Sequence, residues 1–216
     1  MIEYVFFDLD GTLTDSGKGI TNSVAYSLKK NGIEPPSRET LYKFIGPPLV
    51  ESFMKYYGFS LDGAHKAVDD YREYYRDRGI FENEVYDGVR ELLDSLKKKG
   101  KKLVLATSKP EIFAKKILAH FELDGYFYFV AGAMLDETRT EKSDVIAYAL
   151  ACCGEPSRDS VIMVGDREHD VLGATENGIR SIGVLYGYGS KDELLRSSAS
   201  FIVKTPSDIE KIILKI

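Results

Sequence analysis

The chain has 216 residues, enough to bury a sizeable core without disulfide or metal staples. Hydrophobic residues make up 44% and charged residues 29%, and 29 Lys+Arg against 34 Asp+Glu leave a formal charge of −5. That mildly acidic balance argues against general nucleic-acid or membrane-surface binding. No apolar run approaches the ~18 residues of a transmembrane helix. The opening Met1–Asp8 lacks a basic stretch and is not expected to be a signal peptide. Cys152 and Cys153 are adjacent, a poor arrangement for a structural disulfide, and a reduced, cytoplasmic protein is expected.

In chain order, Tyr4-Val5-Phe6-Phe7 reads as a buried strand running into acids and glycine. Ile20, Val24 and Leu28 recur at helical spacing until Asn31-Gly32 stops the helix. Val89, Leu92, Leu93 and Leu96 mark an amphipathic helix ending at Lys97-Lys98-Lys99-Gly100. Those lysines oppose the helix dipole and Gly100 caps it, so they are not read as a nucleic-acid patch. Leu103–Ala106 is a strand, and Pro110 falls in the first turn of a helix carrying Phe113, Ile117 and Phe121. Tyr126–Val130 is a further strand, and the next helix buries Ile146, Ala149, Leu150 and Cys153. Val161–Val164, Ser181–Leu185 and Phe201–Val203 are the remaining strands. Thr205-Pro206 opens a final helix with Ile209, Ile212, Ile213 and Ile216 on one face.

Such alternation predicts an α/β fold: a Rossmann-like parallel sheet flanked by helices. The stretch from Gly17 to Glu82 offers helices and turns but no strand. A small inserted α-helical cap domain is therefore expected over 17–82, with the core domain formed by 1–16 and 83–216.

Chemistry concentrates at strand ends, where open parallel sheets bind ligands. Asp8 and Asp10 follow the first strand, two residues apart, so strand alternation would turn both toward one site. Gly11 permits a sharp turn. Two carboxylates so close repel unless a cation lies between them, and Mg²⁺ is the natural hard-oxygen partner. Thr107-Ser108 follows the second core strand, Gly165-Asp166 with Asp170 ends the fourth, and Lys142 opens the helix leading into it. Acids, a cation, a hydroxyl and an ammonium are what phosphoryl transfer requires.

In the order Asp8-Leu9-Asp10-Gly11-Thr12, Thr107-Ser108-Lys109-Pro110, Lys142, Gly165-Asp166-Arg167-Glu168-His169-Asp170, the whole chain resembles the haloacid dehalogenase superfamily with a C1-type cap. Phe44–Leu49 and Leu185–Ser190 are most similar to its 5′-nucleotidase-like members, beside the phosphoglycolate phosphatases. The resemblance implies an Mg²⁺-dependent phosphomonoesterase acting through an aspartyl-phosphate on a small phosphorylated metabolite, phosphoglycolate or a 5′-nucleotide. Asp8 would be the nucleophile and Asp10 the acid/base. The metal would be held by Asp8, Asp10 through its backbone carbonyl, and Asp166. Thr107, Ser108, Lys109, Gly11 and Gly46 would contact substrate. Lys142 would neutralise Asp8 and the phosphate, and Asp170 would order a metal-bound water or Lys142. Arg167 departs from many relatives and is expected to pair with Glu168 or Asp170. A phosphomutase, or a phosphoryl-binding protein without catalysis, is the alternative. A monomer or homodimer without nucleic-acid or membrane partners is expected.

Three further features are read structurally. Gly11–Gly19, GTLTDSGKG, fails the P-loop spacing and is expected to be a flexible connection. Gly187-Tyr188-Gly189 is a weak dinucleotide signal. Tyr71–Arg78, rich in tyrosine and arginine, is read as a salt-bridged, solvated helix face.

Overall fold

The computed structural model describes residues 1–135 and 138–216. Eight strands are present among them: β1 (Tyr4–Phe7), β2 (Thr14–Asp15), β3 (Glu84–Val85), β4 (Lys102–Pro110), β5 (Phe127–Ala133), β6 (Val161–Gly165), β7 (Arg180–Val184) and β8 (Phe201–Val203). Six form one parallel sheet in the order β5-β4-β1-β6-β7-β8, while β2 and β3 make a separate two-stranded sheet. Consecutive strands run outward from β1 in both directions, so the order reverses beside it. A crevice opens there beyond the carboxyl ends.

The sheet is covered on both faces, which is why its inner strands read as unbroken apolar runs. Tyr4, Phe6, Val104, Ala106, Met163 and Val161 pack with Val145, Ile146, Ala149 and Leu150 of the Lys142–Cys152 helix. Their alternates Val5, Phe7, Leu103, Leu105, Ile162 and Val164 are equally buried. The helix through Pro110 begins one residue later than expected: β4 continues to Pro110, which is the N-cap of Glu111–His120.

The chain separates into two compact units, Met1–Thr14 with Val85–Ile216, and Asp15–Glu84. The second is built on helices Gly17–Lys30, Arg38–Leu41, Leu49–Tyr57 and Leu61–Asp77. Gly19 and the backbone of Gly79 approach so closely that a Cβ on Gly19 would lie 1.8 Å from the Gly79 carbonyl oxygen. Ser27 donates to the Ala67 carbonyl at 2.7 Å, and Lys30 pairs with Asp70 at 2.6 Å.

Two sequence expectations are corrected in this unit. Gly17–Gly19 is the ordered first turn of a helix, not a flexible connection; the Asp15 carboxylate accepts from the Gly17 N–H at 3.2 Å. Tyr71 and Tyr75 are buried and stacked, with ring centroids 5.3 Å apart, so two of the three tyrosines of that stretch are core, while Tyr74 is half-buried. The charged residues between them masked a one-turn apolar spacing. No helix among the described residues is long and apolar enough to cross a membrane.

Candidate active site

Asp8 is the first residue past β1, and its N–H is tied to the Val164 carbonyl of β6 at 2.9 Å. Asp166 is the first residue past β6, and Asp170 lies in the first turn of the Glu168–Glu176 helix. All three are buried, and ligand oxygens of Asp8, Asp166 and Asp170 lie within 4.8 Å of one another. Lys142, also buried, places its ammonium 2.8 Å from Asp8 Oδ1 and 2.9 Å from Asp170 Oδ1, and donates to the Ala106 carbonyl at 3.2 Å. Burial alone would favour the neutral amine. Asp170 and Asp8 override it and hold the Lys142 ammonium above its ordinary range.

Asp10 behaves differently. It lies beyond the strand, in a turn where Leu13 and Thr14 N–H groups return to the Leu9 carbonyl. Its Oδ2 pairs with Lys109 at 2.8 Å, while Oδ1 is enclosed without a hydrogen-bond partner. Strand alternation therefore does not position the two acids; the turn does. Lys109 reaches Asp10 because the β4–β5 register breaks between Thr107 and Pro110. Such an irregularity re-aims side chains next to a site. Thr107 is buried, and its hydroxyl accepts from the Lys109 N–H at 3.2 Å; Ser108 is half-buried in the same irregular stretch.

Three glycines close around Asp166. Gly11, at φ +80°, would bring a Cβ 2.2 Å from Asp166 Oδ2. A Cβ on Gly187 would meet the Gly11 carbonyl oxygen at 2.3 Å, and one on Gly189 the Asp166 carbonyl oxygen at 1.9 Å. The Tyr188 N–H between them donates to Asp166 Oδ2 at 2.7 Å, and Thr12 Oγ1 donates to Oδ1 at 3.5 Å. Sequence reading missed this cradle. Gly187-Tyr188-Gly189 was visible, but nothing local joins it to Asp166, twenty-two residues away from Tyr188.

Arg167 pairs with Glu193 at 2.7 Å, not with Glu168 or Asp170. The same Glu193 oxygen accepts from the Glu168 N–H at 2.9 Å, and Asp170 Oδ2 accepts from the Arg167 N–H at 3.1 Å. These bonds satisfy the first N–H groups of the Glu168–Glu176 helix. Gly46 belongs to the Asp15–Glu84 unit, in a turn with φ 106°.

The donor set fits a divalent cation. Three buried carboxylates against one ammonium leave two negative charges enclosed, an arrangement that is costly without a counter-charge. Burial, then the Asp170 and Asp8 charges, push the Asp166 carboxyl well above the ordinary carboxylate range; the Tyr188 N–H opposes them. Burial also raises Asp170, against the pull of Lys142. Oxygen-only donors select a hard ion such as Mg²⁺ over the softer transition metals.

A family model described as haloacid dehalogenase-like hydrolase matches residues 5–184. The chain belongs to that family. It is similar to a 5′-nucleotidase from Pseudomonas aeruginosa, 48% identical over 88% of this chain and 86% of the relative. It is also similar to the tyrosine-protein kinase PtkA of Mycobacterium tuberculosis, 40% identical over 93% of this chain and 68% of the relative. The crystal structure of a "predicted phosphatase" from Clostridium acetobutylicum has a TM-score of 0.97 at 50% identity, each chain covered in full. The α/β fold and the assignment to the haloacid dehalogenase-type phosphatases, read from four separated motifs, are borne out.

Proposed function

We propose that this protein is a Mg²⁺-dependent phosphomonoesterase that works through an aspartyl-phosphate on Asp8. The observation that carries the reading is the Asp8 carboxylate, buried and held 2.8 Å from Lys142 in one cluster with Asp166 and Asp170. Asp8, Asp166 and the Asp10 carbonyl would hold Mg²⁺, with Asp170 fixing Lys142 and able to join the ligand set. The bound cation screens the negative nucleophile from the negative phosphate.

An Asp8 oxygen attacks phosphorus as the bond to the leaving oxygen breaks. Asp10 gives its proton to that oxygen. Lys109 fixes Asp10 through Oδ2 at 2.8 Å, leaving Oδ1, which has no hydrogen-bond partner, to carry the proton. In the second half, Asp10 takes a proton from water as water attacks phosphorus and the bond to Asp8 breaks, releasing phosphate and restoring both carboxyl groups. Thr107 and the Ser108 N–H bind the transferring group, and Lys142 offsets charge on Asp8 and the phosphoryl oxygens. Gly11 keeps the turn after Asp10 clear for the metal-side carboxylate.

The substrate is a small phosphorylated metabolite. A 5′-nucleotide is favoured over phosphoglycolate because the 48%-identical relative is named a 5′-nucleotidase. The Asp15–Glu84 unit acts as the substrate-selecting cap, Gly46 included, and the protein works in the cytoplasm as a monomer or homodimer. The test is p-nitrophenyl phosphate turnover. Wild type with Mg²⁺ should exceed the Asp8→Asn variant by at least about 10³-fold, and chelation should abolish the difference. A folded, Mg²⁺-supplied wild type no faster than Asp8→Asn overturns the reading.

A further inference from the structure

Residues 186–189, just past β7, meet the acidic cluster at two places. Their backbone grips Asp166: the Tyr188 N–H donates to Oδ2, and a Cβ on Gly187 would fall 2.4 Å from the Asp166 Cβ. The Tyr186 side chain holds a different segment. Its hydroxyl donates to the Thr12 carbonyl at 3.0 Å. Gly187 lies against the Gly11 carbonyl of the same turn, and the Thr12 hydroxyl returns to Asp166 Oδ1 at 3.5 Å. The Tyr186 ring is set edge-on to Tyr86, with centroids 5.1 Å apart, and the Tyr86 N–H donates to the Leu13 carbonyl at 3.1 Å. One short stretch thus joins the turn after Asp10 to the carboxylate past β6.

That junction matters for a metal site. The Asp10 carbonyl and the Asp166 carboxylate, two of the three ligands assigned above to Mg²⁺, come from segments far apart in the chain. Mg²⁺ demands near-ideal octahedral geometry, so drift between the two segments costs affinity directly. Groups that orient ligands without touching the metal carry a large share of that affinity. The Tyr186 hydroxyl has the placement of such a group. Packing does not require it, because a phenylalanine ring would sit against Tyr86 equally well. Its hydrogen bond ends on the turn that also carries the Asp10 carbonyl.

We propose that Tyr186 is a positioning residue for the cation: its hydroxyl locks the Asp10–Thr12 turn to the stretch that grips Asp166, and so keeps these ligands in register. The inference rests on the Mg²⁺ part of the phosphatase reading and not on turnover. The test is the Mg²⁺ dissociation constant of the full-length protein, measured by calorimetric titration without substrate. Tyr186→Phe keeps the ring and loses the hydroxyl; it should weaken Mg²⁺ by about threefold or more, the effect of one lost hydrogen bond. Tyr86→Leu keeps the hydroxyl and loses the ring contact; it should lower the melting temperature yet leave the Mg²⁺ constant within about twofold of wild type. A purely structural hydroxyl would instead change melting temperature alone. Melts in metal-free buffer check that each variant is folded. Should Tyr186→Phe not fold, Thr12→Val, which lacks the returning donor to Asp166, decides by the same threshold. A smaller loss in Tyr186→Phe, or an equal loss in Tyr86→Leu, overturns the proposal alone. No Mg²⁺ binding by wild type overturns it together with the metal reading. Mg²⁺ binding that is weakened in Tyr186→Phe but unaccompanied by turnover in wild type upholds it and sinks the phosphatase reading alone.

Discussion

At the scale of single residues, Lys142 carries the most weight. It is buried, contacts two of the three clustered carboxylates, and has its third tie to the Ala106 carbonyl. Removing one member of a buried charged network leaves the others uncompensated, at a cost of about 3–5 kcal/mol. Lys142→Ala should therefore lower stability in metal-free buffer by that amount in urea titration, and reduce phosphatase turnover at least about 10²-fold. An effect on turnover without loss of stability would show that the cluster does not need its cation for folding. Lys142 was legible in the sequence because it opens the helix leading into an acid-ended strand and falls in order among the motifs that carry the family resemblance. It could not see Lys109 on Asp10, because that contact depends on the broken β4–β5 register between Thr107 and Pro110.

At the scale of elements, the Glu168–Glu176 helix shows how distant residues finish a local structure. Its first turn carries Asp170, yet the Glu168 N–H and the Arg167 side chain are held by Glu193, from the helix Lys191–Arg196. Glu193 is lowered below its ordinary value: burial opposes this, but the hydrogen bond from Arg167 and the backbone N–H groups prevail. A carboxylate lowered in the folded state stabilises above its unfolded value, about 4.3, and that contribution is lost as pH falls through the folded one. Glu193→Gln should lower the melting temperature at pH 7 by about 2–4 °C, allowing about 1 kcal/mol for a partly solvated charged pair. The difference should shrink toward zero below about pH 4. An equal deficit at pH 3.5 and pH 7 would show that the side chain acts by shape rather than charge. The expected Arg167 pairing with Glu168 or Asp170 failed because sequence proximity says nothing about which helix packs against a helix start.

At the scale of the whole molecule, the cluster gathers from β1, β6 and the helices that follow β5 and β6, so its charge repulsion is borne by the fold. A cation that binds the folded chain alone must raise its stability, by about 2.7 kcal/mol at a hundredfold excess over its dissociation constant. For a chain of this length, Mg²⁺ should raise the melting temperature by about 5–10 °C, and Asp166→Asn should abolish the rise. A shift that survives in Asp166→Asn would place the cation elsewhere.

The residues of this protein determined by themselves the alternation of strand and helix, the helical insertion, and the chemistry available at strand ends. Each of these is a local property: a period of two or 3.6, a turn-forming glycine, an acid beside a hydroxyl. Only tertiary structure decided that Gly187 and Gly189 wrap Asp166, that Asp10 is held by Lys109, and that Asn83 is enclosed without a partner. Those facts are distances between segments far apart in the chain, and distance between segments is set by packing, which no single segment encodes.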